Sequence, residues 1–101
     1  MPGCATVSEA MALAALGFPV LKFFPAEQSG GARWLKALSE PLPNIRFCPT
    51  GGINGDNAAD YLALRNVIAV GGSWVASSQA IAAGDFAGIT ARAAAAAALR
   101  A

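Results

Sequence analysis

Residues 17–25 read GFPVLKFFP, and Lys22 is the single charge in this otherwise apolar run. A short apolar run of this kind is typical of a strand that is buried on both faces of a parallel sheet. An ammonium group is costly to bury unless it is paired or gives up its proton. Lys22 therefore has two interpretations. It is a desolvated amine that attacks a carbonyl to form a Schiff base, or it lies at the strand end and extends its amine to solvent.

The composition describes a small chain with much apolar material to bury. The 101 residues are 55% hydrophobic and 13% charged, with a formal net charge of +1. This length predicts one small domain, and the near-neutral charge argues against nucleic acid or an anionic membrane as a partner. The sequence shows neither an apolar run of membrane-spanning length nor a signal-peptide pattern, so we expect a cytoplasmic protein.

The cysteine and histidine content narrows the chemistry further. The sequence has no histidine and two cysteines, Cys4 and Cys48, which lie far apart along the chain. Without histidine, Ser-His and Cys-His catalysis and histidine-ligated metal sites are excluded. We expect Cys48 to be a small buried hydrophobic residue within a strand.

Helix and strand signals alternate along the chain. Strand–helix units in succession predict an α/β protein with a parallel sheet and right-handed crossovers. Three strands are few for such a sheet, and little of the chain is left to cover them, so we expect part of a larger barrel. The predicted elements are a helix from the capping box 6–9 to residue 17, the strand around Lys22, a helix over 32–38, a strand over 44–49, a helix from 54 through 64, a strand over 67–70 and a helix from 85 to about 99.

Two glycine-rich turns follow the last two predicted strands, TGGI at 50–53 and GGSW at 71–74. Glycine allows backbone N–H groups to converge on an anion without obstruction by a Cβ atom. In α/β barrels the turns after the last two strands commonly hold a phosphate group. With Thr50 and Ser73 supplying hydroxyl groups, the pattern favours a phosphate site over plain turn geometry.

Three motifs in this order resemble one enzyme family. LKFFPA at 21–26, RFCPTGGI at 46–53 and VGGSW at 70–74 are similar to segments of the 2-keto-3-deoxy-6-phosphogluconate and 4-hydroxy-2-oxoglutarate aldolases. The resemblance covers essentially the whole chain. It implies a class I aldolase without metal or cofactor on a (β/α)8 barrel. Residues 1–101 would be the C-terminal part of that barrel, about three β/α units preceded by one helix.

The resemblance also implies roles for individual residues. Lys22 would condense with the pyruvate carbonyl, and the protonated imine would draw electrons as the C–C bond breaks, releasing pyruvate and glyceraldehyde 3-phosphate from the phosphorylated sugar acid. Phe24 would pack against the pyruvyl end and Thr50 would lie near the substrate carboxylate. The implied phosphate ligands are Gly51, Gly52, Gly72 and Ser73.

The sequence departs from the family pattern in one respect. The general acid/base of the family is a glutamate on an early strand, and it has no counterpart here. Glu9 fits a helix cap and Glu27 lies in a predicted loop, so we expect neither to be the base. The sequence is therefore read as a truncated gene product, a deliberately made half barrel or the ordered part of a larger protein.

Two functions stay open at this point. The first is the aldolase, whose partners would be a keto-acid or phosphosugar substrate and either a complementing N-terminal half or further copies of the chain. The second is a non-catalytic half barrel that self-associates and at most binds phosphate, because a half barrel exposes two sheet edges and an apolar face.

Overall fold

The computed structural model describes residues 1–100, in which strands and helices alternate at the start of the chain and helices end it. The elements are β1 (Gly3–Cys4), α1 (Val7–Ala15), β2 (Val20–Phe23), α2 (Gly31–Leu38), β3 (Arg46–Pro49), α3 (Ala58–Leu62), a 3-10 turn (Trp74–Ala76), α4 (Ser78–Ala82) and α5 (Phe86–Ala98). No helix of this described part is both long enough and apolar enough to cross a membrane.

The sheet has three parallel strands in the order β1-β2-β3. This confirms the predicted α/β class with a parallel sheet. Strand β2 is central, and its Lys22 lies in register with Gly3 on one side and Cys48 on the other. The lysine therefore lies in the middle of the sheet.

One face of the sheet carries the hydrophobic core. Leu21, Phe23 and Phe47 are fully buried on that face. Trp34 of α2 stacks on Phe23 with 4.2 Å between ring centroids and meets the ring of Phe47 edge-on at 6.0 Å. Such aromatic pairs add to the free energy gained from burial, so this cluster fixes α2 against β2 and β3.

The opposite face of the sheet is open. Val20, Lys22 and Cys48 alternate with the core residues and are each only half buried. The prediction that the lysine strand is buried on both faces is therefore wrong for this chain, as is the prediction that Cys48 is buried. The reason is that, within residues 1–100, the helices cover only the face that carries Phe23.

The predicted strand 67–70 is not a regular strand. Val67 is bridged to Phe47 of β3, and a second parallel bridge joins the residues that follow the two segments, Thr50 and Gly71. Between the two pairs the chain advances three residues on the β3 side, from Phe47 to Thr50, and four on the other side, from Val67 to Gly71. The segment from Val67 to Gly71 therefore has one extra residue between the two bridges.

Proline explains the interruption. Pro49 lies between the two bridges and has no N–H to donate to the neighbouring segment. The carbonyl of Ile68, which residue 49 would otherwise pair with, accepts a hydrogen bond from the Arg100 guanidinium instead, at 3.1 Å. An arginine from the last turn of the chain thus satisfies a carbonyl group beside the gap in the ladder.

Helix α1 begins as the sequence predicts. The Thr6 hydroxyl accepts a hydrogen bond from the N–H of Glu9 at 3.2 Å, and the Glu9 carboxylate accepts one from the N–H of Thr6 at 3.0 Å. Hydrogen bonds from the Ala5 N–H and from Thr6 lower the pKa of the Glu9 carboxyl group. This capping box confirms that Glu9 has a structural role.

Of the later helices, α2, α3 and α5 lie where the sequence predicts helices, whereas α4 (Ser78–Ala82) was not predicted. The Asn54 side chain accepts hydrogen bonds from the N–H groups of Asp56 and Asn57 at 2.8 and 3.2 Å. It therefore forms a turn ahead of α3, and the helix itself starts four residues after Asn54, at Ala58. Asp85 caps α5 as expected, because its carboxylate accepts the N–H of Gly88 at 3.1 Å.

Candidate active site

A cavity of about 620 Å³ lies where β2 and β3 end. Six of the seven residues that the sequence singles out for the site contribute to its lining. Those six are Phe24, Thr50, Gly51, Gly52, Gly72 and Ser73. The seventh, Lys22, lies outside the lining itself.

The Phe24 ring lies between the Lys22 amine and the cavity. Its Nζ atom lies 4.9 Å from the centroid of the Phe24 ring, within the range of a cation–π contact. The ring is 51% exposed and lines the cavity. In the described part of the chain the one ion pair joins Arg92 to Asp85, so no carboxylate pairs with the lysine. The amine is thus half buried, unpaired by charge and separated from the cavity by one aromatic ring.

The loop after β2 holds the turn after β3 by two backbone hydrogen bonds. The N–H of Ala26 donates to the carbonyl of Thr50 at 2.8 Å, and the N–H of Glu27 donates to that of Gly51 at 3.2 Å. Both carbonyl groups therefore point away from the cavity, towards the loop.

A third carbonyl in the same turn is held by a side chain. The amide nitrogen of Asn57 donates to the carbonyl of Gly52 at 2.9 Å. In a planar trans peptide the C=O and the following N–H point in opposite directions. Because the carbonyl groups of Gly51 and Gly52 are turned away from the cavity, the N–H groups of Gly52 and Ile53 point to the opposite side, where these residues line the cavity.

Glycine is required in this turn for two reasons. Gly51 and Gly52 have φ angles of 103° and 73°, a region that other residues seldom adopt. A Cβ atom on Gly51 would lie 3.0 Å from Cα of Pro25, and one on Gly52 would lie 2.7 Å from Cγ of Glu27. The loop after the lysine strand therefore packs closely against the back of the turn.

The second glycine turn closes the cavity from the other side. The N–H groups of Gly72 and Ser73 make no hydrogen bond within residues 1–100, and the same holds for those of Gly52 and Ile53 in the first turn. The Ser73 hydroxyl is exposed and lines the same cavity. A Cβ atom on Gly72 would contact the Trp74 ring and lie 2.9 Å from the Ile53 carbonyl oxygen. Free N–H donors from both turns thus surround one cavity.

The lining of this cavity favours an anionic ligand. It contains no aspartate or glutamate among the described residues. Unpaired backbone N–H groups carry partial positive charge and bind anions when they converge. The arrangement therefore combines a lysine amine near the rim with hydrogen-bond donors inside.

Residues 1–92 match the family model described as KDPG and KHG aldolase. The chain belongs to this aldolase family. The KHG/KDPG aldolase of Escherichia coli K12 is 49% identical over 90 residues, which make up 89% of this chain and 42% of that protein. The 2-dehydro-3-deoxy-phosphogluconate aldolase of Dickeya dadantii is 50% identical over 91 residues, covering 90% of this chain and 43% of that enzyme.

Solved structures of KDPG aldolases superpose closely on the chain. The enzyme of Legionella pneumophila, solved with pyruvate captured as a covalent carbinolamine intermediate, gives a TM-score of 0.87 at 48% identity and covers 89% of this chain and 44% of that one. The enzyme of Zymomonas mobilis ATCC 29191 gives a TM-score of 0.88 at 42% identity, with 98% and 47% covered. This chain spans less than half the length of these aldolases.

The carboxylates and thiols of this aldolase-family chain lie outside the cavity lining. Glu27 accepts a hydrogen bond from the Tyr61 hydroxyl at 2.6 Å. Burial, and secondarily the Glu9 carboxylate, raises the pKa of the Cys4 thiol to about 11, so this cysteine stays protonated at neutral pH. Cys48 lies beside Lys22 on the open face of the sheet.

Sequence reasoning missed several residues at the aldolase-family site. Trp74 lines the cavity directly after Ser73, and Asn54 and Ser77 line it too. Trp74 could have been found from its place in the GGSW motif. The hydrogen bond between Glu27 and Tyr61 joins residues 34 positions apart, and no local pattern indicates it.

The glycine turn yields a direct test of its packing. We expect Gly52→Ala to lower the free energy of unfolding by about 1–3 kcal/mol, because it forces a strained φ angle and a clash with Glu27. Gly55→Ala is the matched control: its Cβ would meet only Trp74 Nε1 at 3.8 Å, and we expect a change within about 0.5 kcal/mol. Urea unfolding followed by circular dichroism measures both. Equal stabilities of the two variants would contradict the described turn.

Proposed function

We propose that this chain is the Schiff-base part of a class I aldolase that cleaves 2-keto-3-deoxy-6-phosphogluconate to pyruvate and glyceraldehyde 3-phosphate. The observation that carries the proposal is the position of Lys22 in mid-sheet, with Phe24 between its amine and a cavity of free N–H donors. Membership of the KDPG and KHG aldolase family supports it.

The proposed chemistry begins with the amine. Lys22 Nζ attacks the ketone carbon of the substrate to give a carbinolamine, which loses water to form an imine. The bond between the α and β carbons then breaks: its electrons move towards the protonated imine while a base takes the proton of the β-hydroxyl group, and the aldehyde leaves. The remaining enamine is protonated, and water releases pyruvate and the free lysine. The Legionella pneumophila relative was captured with pyruvate as such a carbinolamine.

The remaining site residues would hold the substrate. Phe24 would pack against the pyruvyl end next to the amine, and Thr50 would lie near the carboxylate. The N–H groups of both glycine turns and the Ser73 hydroxyl would bind the phosphate. Gly52 and Gly72 would contribute through their N–H groups, which donate no other hydrogen bond in the described chain, and Gly51 would contribute through its backbone in the same turn.

The proposed setting is a (β/α)8 barrel of which residues 1–101 form the C-terminal part. The open face of the sheet, which carries Lys22 and Cys48, would face the barrel interior. The matching relatives are more than twice as long as the chain, which agrees with this reading. We propose a small keto acid or phosphosugar as the partner, with a complementing N-terminal half or further copies of the chain, in the cytoplasm.

The proposal assigns no base to this chain. The Glu9 carboxylate is held in the capping box of α1, and that of Glu27 is bonded to Tyr61 and Asn57. A general base must lie within hydrogen-bond reach of the proton that it takes. Neither group lines the cavity, so the acid/base would have to come from outside these residues.

A second candidate function is a self-associating half barrel that binds phosphate without catalysis. The open sheet face favours it, together with apolar side chains that are substantially exposed. Phe18, Phe24 and Ile68 are 43%, 51% and 41% exposed. Apolar surface of this kind promotes association between copies.

The lysine assignment is tested by trapping. Pyruvate with borohydride should add a reduced covalent adduct to the native chain, because reduction makes an imine permanent. Lys22→Ala should lose the adduct and Lys36→Ala, on α2, should keep it. Intact-mass spectrometry and peptide mapping give the readout, after circular dichroism has shown that each variant is folded. A labelled Lys36, or an unlabelled native chain with an intact fold, would disprove the assignment.

The anion site is tested with inorganic phosphate. Ser73→Ala removes a hydroxyl that would donate to the phosphate, and we expect about tenfold weaker binding, the size of one hydrogen bond to a charged group. Ser39→Ala is the control, because its hydroxyl donates to the Lys36 carbonyl at 2.8 Å on another part of the surface. Amide chemical shifts of Gly51 and Gly52 during titration report the affinity. Shifts confined to other residues would place the anion elsewhere.

Turnover distinguishes the two functions. A positioned base contributes about 10²- to 10⁴-fold to the rate, so we expect the isolated chain to be inactive or very slow. Mixing it with the N-terminal half of a homologous barrel should restore pyruvate release from the phosphorylated sugar acid. Turnover near that of a complete family enzyme from the chain alone would show that a base is present. A chain that only self-associates, and gains no activity on mixing, would support the second function.

A further inference from the structure

Glu27 has an unusual set of partners for an exposed carboxylate. Its Oε1 atom accepts hydrogen bonds from the Tyr61 hydroxyl at 2.6 Å and from the Asn57 amide at 3.2 Å. These partners lie 34 and 30 positions further along the chain. Exposed carboxylates are ordinarily satisfied by water, so two fixed protein donors indicate that this side chain is held in one place.

The stronger of the two donors comes from the core. Tyr61 is 1% exposed, and only its hydroxyl reaches out to the Glu27 carboxylate. Burial, and then the hydrogen bond to Glu27, raises the pKa of the Tyr61 hydroxyl. The phenol therefore stays protonated and remains a donor over the ordinary pH range.

The rest of Glu27 contacts the glycine turn. Its backbone N–H donates to the Gly51 carbonyl at 3.2 Å, and its Cβ and Cγ atoms fill the space behind Gly52. The Asn57 nitrogen that donates to Glu27 also donates to the Gly52 carbonyl at 2.9 Å. Backbone, side-chain stem and carboxylate thus all connect this residue to the same turn.

We propose that Glu27 is a positioning residue for anion binding. Its carboxylate, held by Tyr61 and Asn57, fixes the loop after the lysine strand against Gly51 and Gly52, so that the N–H groups of the turn face the cavity. The ligand class is inorganic phosphate or a phosphate monoester. This inference rests on the proposed function, which makes those N–H groups the phosphate ligands.

The negative charge of Glu27 allows a positioning role to be distinguished from a purely electrostatic one. Glu27 is negative and lies behind a turn that is proposed to bind an anion. Removing its charge alone would strengthen phosphate binding, because like charges repel. Removing the hydrogen-bond acceptor would release the turn and weaken binding. Gln keeps an acceptor oxygen and loses the charge, whereas Ala loses both.

The experiment titrates the full chain with inorganic phosphate and follows the amide shifts of Gly51 and Gly52. We expect Glu27→Ala to bind about fivefold more weakly or worse, the loss of one modest hydrogen bond. Glu27→Gln should bind at least as tightly as the native chain, and Tyr61→Phe should weaken binding. Thr6→Ala, which removes the distant cap of α1, controls for a general loss of stability.

Two results would overturn the inference. One is Glu27→Ala binding phosphate as tightly as the native chain or more tightly. The other is Thr6→Ala weakening binding as much as Glu27→Ala does, since that would reflect stability alone. Because Glu27 is exposed, its substitution does not open the core, so the outcome stands even where Tyr61→Phe fails to fold.

A second readout separates this inference from the proposed function. A native chain that binds no phosphate would refute the proposed anion site, and the role of Glu27 would then be judged by amide hydrogen exchange. The N–H groups of Ala26 and Glu27 donate to the turn carbonyls. Ala26 exchange should accelerate in both Glu27→Ala and Tyr61→Phe and stay unchanged in Thr6→Ala. Native-like Ala26 exchange in folded Glu27→Ala would disprove the positioning role.

Discussion

The parallel register between β2 and β3 is the constraint on which the rest of the candidate site depends. Four residue pairs run in step and end at Phe23 and Pro49. Both strands therefore end at the same level, and the loop beginning at Phe24 meets the turn beginning at Thr50. Every later feature of the first turn follows from that meeting: its backbone hydrogen bonds to the loop, its carbonyl groups turned away from the cavity and its free N–H groups. On the buried face of the sheet, Trp34 packs against Phe23 of β2 and Phe47 of β3 and so holds the two strands together.

The two chemical parts of the site are built by different physical means. The amine belongs to a side chain, and one substitution at Lys22 removes it. The anion donors belong to peptide planes, whose direction is set by what their carbonyl groups bind. No single substitution removes a backbone N–H except to proline, so such a site is altered through the residues that hold the loop, Glu27 and Asn57 among them.

Features that depend on residues close together in the sequence were predicted correctly. The capping box at Thr6 and the cap at Asp85 depend on residues three positions away, and both were found. The motifs also indicated the family and six residues that line one cavity. Features that depend on distant contacts were missed. Burial of Cys48 depends on what covers a sheet face, and the bond from Tyr61 to Glu27 joins separate elements, so neither leaves a local pattern.

The extra residue opposite Pro49 acts as a β-bulge, and it changes the face of the sheet on which the following side chains lie. Side chains of a strand alternate between faces, so a slip of one residue exchanges which face each side chain occupies. In an unbroken ladder Val70 would stand beside Thr50 at the cavity mouth. The bulge puts Gly71 there instead, where a Cβ atom would lie 2.6 Å from the threonine hydroxyl oxygen, and Val70 lines the apolar space beneath α5. A proline that interrupts the sheet thereby replaces a bulky apolar side chain beside the Thr50 hydroxyl group with a glycine.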